Sequence, residues 1–331
     1  MTADFRPLRD TDYGALAGLL NEASIADGRA QHQVADELRE EFESMPVDLS
    51  TATPAAWQGD RLVGAAYLYH LPSTVREERC YVFGTVQPDH RGLGIGRRLL
   101  EWGLERGTDL LQSSRSDLPK HLRVDTSRAN SSAIRLFERL GLQPIRYFAD
   151  LRADLGVPTP APTRARHSSA TSSSSAAAFQ IVPWDLARNE EARHVKNAAF
   201  TDHWGSTPEP PAWWAQRTSG FGARPDWSYY AVDGDDNIIG HLITHRFEND
   251  DELVGAKYAW IDNIGTLAEW RGRGVATQLI TAALAKYREA GMQFAALGVD
   301  SDNPTGAYRL YESLGFRPWR EFVTYQRVIG A

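Results

Sequence analysis

The 331-residue chain holds a single cysteine, Cys80. No internal disulfide can form, which fits a reducing compartment. No apolar run reaches the roughly 18 residues that a membrane-spanning helix needs, so no membrane partner is expected. The opening residues, MTADFRPLRDTDYG, lack the apolar stretch of a secretory signal. The expected address is therefore the cytoplasm. Basic residues are not in excess: 36 Lys and Arg face 43 Asp and Glu, for a formal net charge of −7. A dedicated nucleic-acid binder would usually show the opposite balance, so no nucleic-acid partner is expected. Histidine, cysteine and carboxylates nowhere fall at metal-ligand spacing, and no metal is expected.

What the chain has is repetition. Residues 156–178, GVPTPAPTRARHSSATSSSSAAA, offer almost nothing to bury and predict a flexible tether. The tether divides the chain into a first domain at 1–155 and a second at 179–331. DRLVGAAYLYH (60–70) resembles DNIIGHLITHR (236–246), and LRVDTSRANSSAIRLFERLGL (122–142) resembles LGVDSDNPTGAYRLYESLGF (297–316). Apolar periodicity gives each half roughly the order β-α-α-β-β-β-α-β-α-β. The period is too long for a solenoid repeat, so a duplicated α/β domain is predicted.

Each half also carries a glycine-rich loop before a helix: DHRGLGIGRRLL from Asp89 and EWRGRGVATQLI from Glu269. The first amides of a helix have no internal partners, and the helix dipole favours negative charge there. Glycines let a ligand approach the backbone, and the leading arginines Arg91 and Arg271 can add charge-assisted bonds. The pair fits a phosphate or pyrophosphate. A tight turn before a helix would look the same. Neither loop has the Lys-Ser/Thr ending of a P-loop, and neither follows a first strand as a dinucleotide fingerprint would.

The loop R-G-R-G-V-A (271–276), followed by N-P-T-G-A-Y-R-L-Y-E-S-L-G-F (303–316), resembles the GNAT superfamily of acyl-CoA N-acyltransferases. Its loop pattern is Q/R-x-x-G-x-G/A. Arg271, Gly274 and Ala276 match in the second half, and Arg91, Gly94 and Gly96 in the first. The resemblance covers nearly the whole chain outside the tether, and two such domains in tandem are similar to actinobacterial tandem GNAT proteins such as mycothiol synthase. It implies two tandem domains, each a mixed, twisted, splayed sheet flanked by helices. It also implies acetyl-CoA as co-substrate, its pyrophosphate held at Leu267, Arg271, Gly272, Arg273, Gly274, Val275, Ala276 and Asn303. The first-half counterpart is Arg91, Gly92, Gly94, Ile95 and Gly96.

Amine attack on a thioester needs a deprotonated amine, a stabilised oxyanion and an acid for the departing thiolate. In the superfamily the acid is usually a tyrosine on the helix after the Asn turn. Tyr311 holds that place in the second half and Phe137 in the first. Nine residues before the loop arginines lie Asp262 and Val82. A carboxylate among Trp and Ile on a strand is costly unless paired or solvated. Asp262 is thus a catalytic carboxylate, or one that binds the substrate ammonium or relays a proton through water, or one held by a neighbouring side chain. In some relatives the base lies two residues earlier, where this chain has Trp260 and Cys80. These contrasts place the chemistry in the second domain and leave the first degenerate.

Only Trp57 and Trp102 of the ten tryptophans fall in the first half. The resemblance implies that the stretch Ala199–Arg217 lines the acceptor pocket, with Asp202, His203 and Trp204 touching a small-molecule amine. His241 and His245 fall on one strand face, as a proton relay or a structural pair. The expected function is transfer of an acyl group, acetyl by default, from CoA to a primary amine. The alternatives are a mycothiol-synthase-like acetylation of a cysteinyl sugar conjugate, or a CoA-sensing scaffold without turnover.

Overall fold

A computed structural model describes residues 3–29, 31–44, 53–71, 75–158, 178–302 and 306–330. Residues 159–177 of the expected tether and the CoA candidate Asn303 lie outside the described residues. The first half runs β1 (Asp4–Pro7), α1 (Tyr13–Ala26), α2 (Ala35–Ser44), β2 (Pro54–Gln58), β3 (Arg61–Leu71), β4 (Glu78–Val86), α3 (Ile95–Ser113), β5 (Lys120–Ser127), α4 (Ser131–Arg139) and β6 (Gln143–Asp154). The second runs β7 (Gln180–Pro183), α5 (Asn189–Ala199), α6 (Pro211–Ser219), β8 (Tyr229–Val232), β9 (Ile238–His245), a one-turn α7 (Asp251–Val254), β10 (Tyr258–Thr266), α8 (Val275–Glu289), β11 (Phe294–Asp300), α9 (Ala307–Ser313) and β12 (Arg317–Ile329). The order read from periodicity is present in both halves.

The compact units follow a line other than the tether. The first unit is Met1–Phe148 together with Arg320–Ala331, and the second is Ala149–Trp319. In the first, the strands lie in the order β1-β2-β3-β4-β5-β12; in the second, β7-β8-β9-β10-β11-β6. Each sheet is thus completed by the last strand of the other half of the sequence. Strand β12 pairs antiparallel with β5 from Phe322↔Ser127 to Ile329↔Lys120.

Side-chain patterning makes the exchange hold. Val323, Tyr325 and Ile329 are buried with Val82, Leu104, Leu122 and Phe137 of the first unit. Ala149, Leu151 and Ala153 of β6, with Leu155 just after it, are buried with Ile261, Leu279, Leu297 and Tyr311 of the second. Each fully buried large aliphatic or aromatic side chain contributes about 1.5–3 kcal/mol, so three on one strand rival a domain's net stability.

Helix α3 shows why the outer layer sits as it does. Leu99, Leu100, Leu104 and Leu111 recur at helical spacing and are buried. A Cβ at Gly103 would lie 2.3 Å from Val82, so only glycine lets the helix come this close to β4. The other sheet face is covered by α1 and α2 in the first unit and by α5 and α6 in the second, around Leu16, Leu38 and Trp57 and around Trp184, Trp214 and Tyr230 respectively.

One topological detail positions the site. Strands β4 and β5 are parallel but paired only from Glu78↔Lys120 to Tyr81↔Arg123. Strands β10 and β11 are likewise paired only from Tyr258↔Phe294 to Ile261↔Leu297. Beyond these points the parallel neighbours part and each sheet opens. The first residues past the ladders are Val82 and Asp262.

Candidate active site

The two glycine loops have nearly the same backbone. Gly92 and Gly94 have φ of 77° and 86°, and Gly272 and Gly274 have 74° and 86°. Gly94 and Gly274 are the residues that open α3 and α8. No atom lies within 4 Å of a Cβ built on any of the four, so the loop faces open space. The amides of Ile95 and Gly96, and of Val275 and Ala276, fall in the first helical turn, where N–H groups lack internal acceptors. Leu267 starts the turn before the second loop, its carbonyl accepting from the Trp270 amide at 2.9 Å.

The leading arginines are turned inward. Arg271 donates from Nε to the Thr266 carbonyl at 3.3 Å and from Nη2 to the Ala199 carbonyl, at the end of α5, at 2.8 Å. Arg91 donates to the Val86 carbonyl at 3.2 Å and binds both Asp27 oxygens, at 2.7 and 3.1 Å, just past the end of α1. Both therefore brace the loop against the unit's first helix. In the first unit Asn130 also donates to Asp27, at 3.0 Å, tying the loop, the helix end and the Asn turn together.

Asp262 lies at a register shift between Ile261 and Asn263 on β10. Such a bulge re-aims a side chain locally. Its carboxylate accepts a short bond from Arg217 Nη1 on α6. Arg217 Nε donates to Glu209 Oε1 at 2.8 Å, and Lys196 Nζ on α5 meets Glu209 Oε2 at 2.8 Å. His245 Nε2 lies 2.7 Å from the Arg217 carbonyl oxygen. The result is a chain of alternating charge, Lys196–Glu209–Arg217–Asp262. Burial pushes the Asp262 carboxyl up, but Arg217, His245 and Lys196 outweigh it and hold it below the usual carboxylate range. Burial pulls the Lys196 ammonium down by more than Glu209 restores. Asp262 is thus paired with Arg217 and stays ionised at neutral pH.

The histidines divide. His241 is fully buried, and its Nε2–H donates to Asn263 Oδ1 at 2.7 Å. Burial pushes its pKa down to about 4, so it is neutral in the folded protein. His245 faces the ion chain.

Tyr311 on α9 is 7% exposed, and its ring meets Phe316 edge-on at 6.1 Å. Burial alone pushes its phenol up to about 12. Among the described residues no hydrogen bond to its hydroxyl is found, so the oxygen is spare. Phe137 in the first unit packs edge-on against Tyr325 at 5.5 Å.

Asp202 is exposed, and its carboxylate lies 3.7 Å from Arg271 Nη1, beside the loop. His203 packs on Phe200 at 5.3 Å and lies 2.9 Å from the Trp204 carbonyl oxygen. Sequence reading missed Arg217, Glu209 and Lys196. Their spacing carries no periodic signal, since three separate segments supply the partners of one strand residue. Among the described residues no group of three or more His, Cys, Asp or Glu could hold a metal ion, and no helix is long and apolar enough to cross a membrane.

The acetyltransferase (GNAT) family model matches residues 19–142 and 189–316. The chain is similar to a mycothiol acetyltransferase of Thermobispora bispora, 30% identical over 280 residues, covering 82% of each chain. It is also similar to one of Streptomyces coelicolor, 29% identical, covering 91% of this chain and 87% of that one. Among solved structures it resembles a GCN5-related N-acetyltransferase of Sphaerobacter thermophilus, with TM-score 0.73, 23% identity and coverage of 99% and 96%. It also resembles a tandem GNAT protein from the clavulanic acid biosynthesis pathway, with TM-score 0.68, 19% identity and 99% coverage of both chains. At these identities the structural likenesses speak for the fold alone.

Proposed function

Because the chain belongs to the acetyltransferase (GNAT) family, we propose that its second unit holds the working acetyl-transfer site and that the first keeps only the loop. The donor in this reading is acetyl-CoA, its pyrophosphate on the amides that follow Gly272 and Gly274. The acceptor is the primary amine of a small molecule, entering from the side where β10 and β11 part. The amine must reach the thioester carbon as the free base, since alkyl ammonium groups titrate near pH 10. Attack forms the C–N bond, and collapse of the tetrahedral adduct breaks the C–S bond. Tyr311 then supplies a proton to the sulfur, the acylated nitrogen gives up its extra proton to water, and the phenolate regains a proton from solvent. A phenol held near 12 is fully protonated at neutral pH and so available as the donor. Asp262, ionised and paired, orients the incoming amine through its charge and does not serve as the base.

The observation that carries this reading is the contrast at one helix position. Tyr311 offers a spare hydroxyl where Phe137 offers only a ring. The test is Tyr311→Phe, followed by free-thiol release from acetyl-CoA with a panel of amines. Turnover should fall by roughly 10²-fold with CoA affinity nearly intact. A rate within a few-fold of wild type would remove Tyr311 from the mechanism.

A second reading is acetylation of a cysteinyl sugar conjugate, favoured by the likeness to mycothiol acetyltransferases. Including such a conjugate in the panel separates the two by kcat/KM.

A further inference from the structure

The ion chain beneath the opening of the second sheet has no counterpart at the matching positions of the first unit, which builds the same frame. Val82 stands where Asp262 does, each the first residue beyond its parallel ladder. Three residues before the ends of the matching helices, at Ala26 and Ala199, stand Ala23 and Lys196. Placing four charges in a mostly buried layer costs several kcal/mol of desolvation that pairing only partly returns. A chain of this kind, present in one copy of a duplicated fold and absent from the other, has a use beyond stability.

The use follows from which atoms are already engaged. Arg217 spends Nε on Glu209 and Nη1 on Asp262. Asp262 spends Oδ2 on Arg217. Among the described residues Arg217 Nη2 and Asp262 Oδ1 make no hydrogen bond, and the two side chains remain 30% and 19% exposed. One cationic donor and one anionic acceptor are thus offered side by side. The surrounding charges already cancel: Lys196 against Glu209, and Arg217 against Asp262. A ligand bringing only an ammonium, or only a carboxylate, would leave a charge in excess in this half-buried place. A ligand bringing both would not.

We infer that the acceptor amine carries a carboxylate of its own, and that Arg217 and Asp262 form a two-point seat for an amino acid or a close amino-carboxylate relative. Arg217 Nη2 receives the carboxylate in a charge-assisted bond. Asp262 Oδ1 receives the ammonium before it loses its proton. The inference rests on the second unit being the working one, and it deepens that reading by naming the substrate class.

The test compares each of the common L-amino acids with its own primary amide, which keeps the amine and removes the negative charge. Acetyl transfer is followed by thiol release, and binding of the same compounds to the protein loaded with CoA is followed by calorimetry. The amide's amine deprotonates more readily, which biases transfer against the expected result; calorimetry is free of that bias. For the preferred side chain the acid should exceed the amide by about tenfold or more in kcat/KM and in affinity, as a site built to bond a missing group rejects its analogue. Arg217→Gln should erase the difference between acid and amide, and Arg217→Lys should restore part of it. If wild type binds and acetylates amides as well as acids, the seat is refuted while transfer in the second unit stands. If Arg217→Gln lowers acid and amide alike, the pair is a structural lock and the inference falls. If acids bind in preference but no amine is acetylated, the seat holds and the transfer reading fails.

Discussion

The two units are one frame with two finishes. Their loops superimpose in conformation down to the positive φ of each paired glycine. Behind the loops they diverge. On the shared LxVD strand the first unit has Arg123 and the second Gly298. Arg123 is buried and pinned, bonding Glu77 at 2.8 Å and Gln326 at 2.9 Å. At Gly298 no side chain stands, and a Cβ built there would make ordinary contact with Asp150 Oδ1 at 3.6 Å and the Trp260 ring at 3.7 Å. Three residues beyond the fully buried Leu38 of α2 comes Glu41; three beyond the fully buried Trp214 of α6 comes Arg217. Burial pushes the Glu41 carboxyl up, and burial with Glu41 beside it pushes the Tyr67 phenol far up. Where the first unit fills its sheet face with rings, Tyr67 stacked on Phe83 at 5.1 Å, the second lays a charged chain. The two copies keep the same glycine loop and differ in what stands behind it.

The comparison breaks most visibly at the loops. Gly94→Glu and Gly274→Glu each set an anion where a phosphate would lie, in open space, at a backbone cost of about 1–2 kcal/mol for the left-handed residue. Gly274→Glu should abolish turnover. Gly94→Glu should leave it largely intact and remove a second CoA-binding event in calorimetry. The reverse pattern, in folded proteins, would assign the chemistry to the first unit.

A smaller effect separates charge from proton transfer at Asp262. Asp262→Asn should slow transfer by about tenfold and by the same factor from about pH 6 to 9, because the native carboxylate is ionised throughout that range. A defect that shrinks as pH rises would instead make Asp262 the base. The pairing also predicts that Asp262 supports folding above the usual carboxylate range and stops doing so as acid protonates it.

The smallest effect is on stability. In the unfolded chain His241 takes a proton below about pH 6.5, and in the folded protein it does so only near 4. The unfolded state therefore binds more protons between these values, and stability falls as pH drops through that window. The loss is on the order of 3 kcal/mol at most. Urea titrations at pH 7 and pH 5 should show it in wild type, and His241→Gln should flatten it. An equal pH dependence in both proteins would mean that other groups set the acid limit.

The sequence revealed what is local. The glycine loops, the element order, the Tyr311/Phe137 contrast and the oddity of Asp262 all come from short spacings or single positions. What escaped it is long-range. Strands β6 and β12 both follow a helix and a left-handed glycine, Gly141 and Gly315, so nothing in either says which sheet it joins. Arg217 looks like an ordinary last-turn helix cation until β10 brings Asp262 against it. Arg91 and Arg271 look like phosphate ligands, because the helix ends that engage them are 64 and 72 residues away.

The exchanged strands also set a timetable. Arg123 and Gln326, bonded neighbours in the first unit, are 203 residues apart in the chain. A ribosome making this protein from its first residue finishes β5 long before β12 exists. Until then β5 has an open edge, and β6 is the strand of matching pattern already at hand. The first unit is begun first and completed last. Closing so long a loop is slow, and an open sheet edge meanwhile invites the wrong partner. The duplicated fold thus keeps its first unit unfinished until β12 has been made.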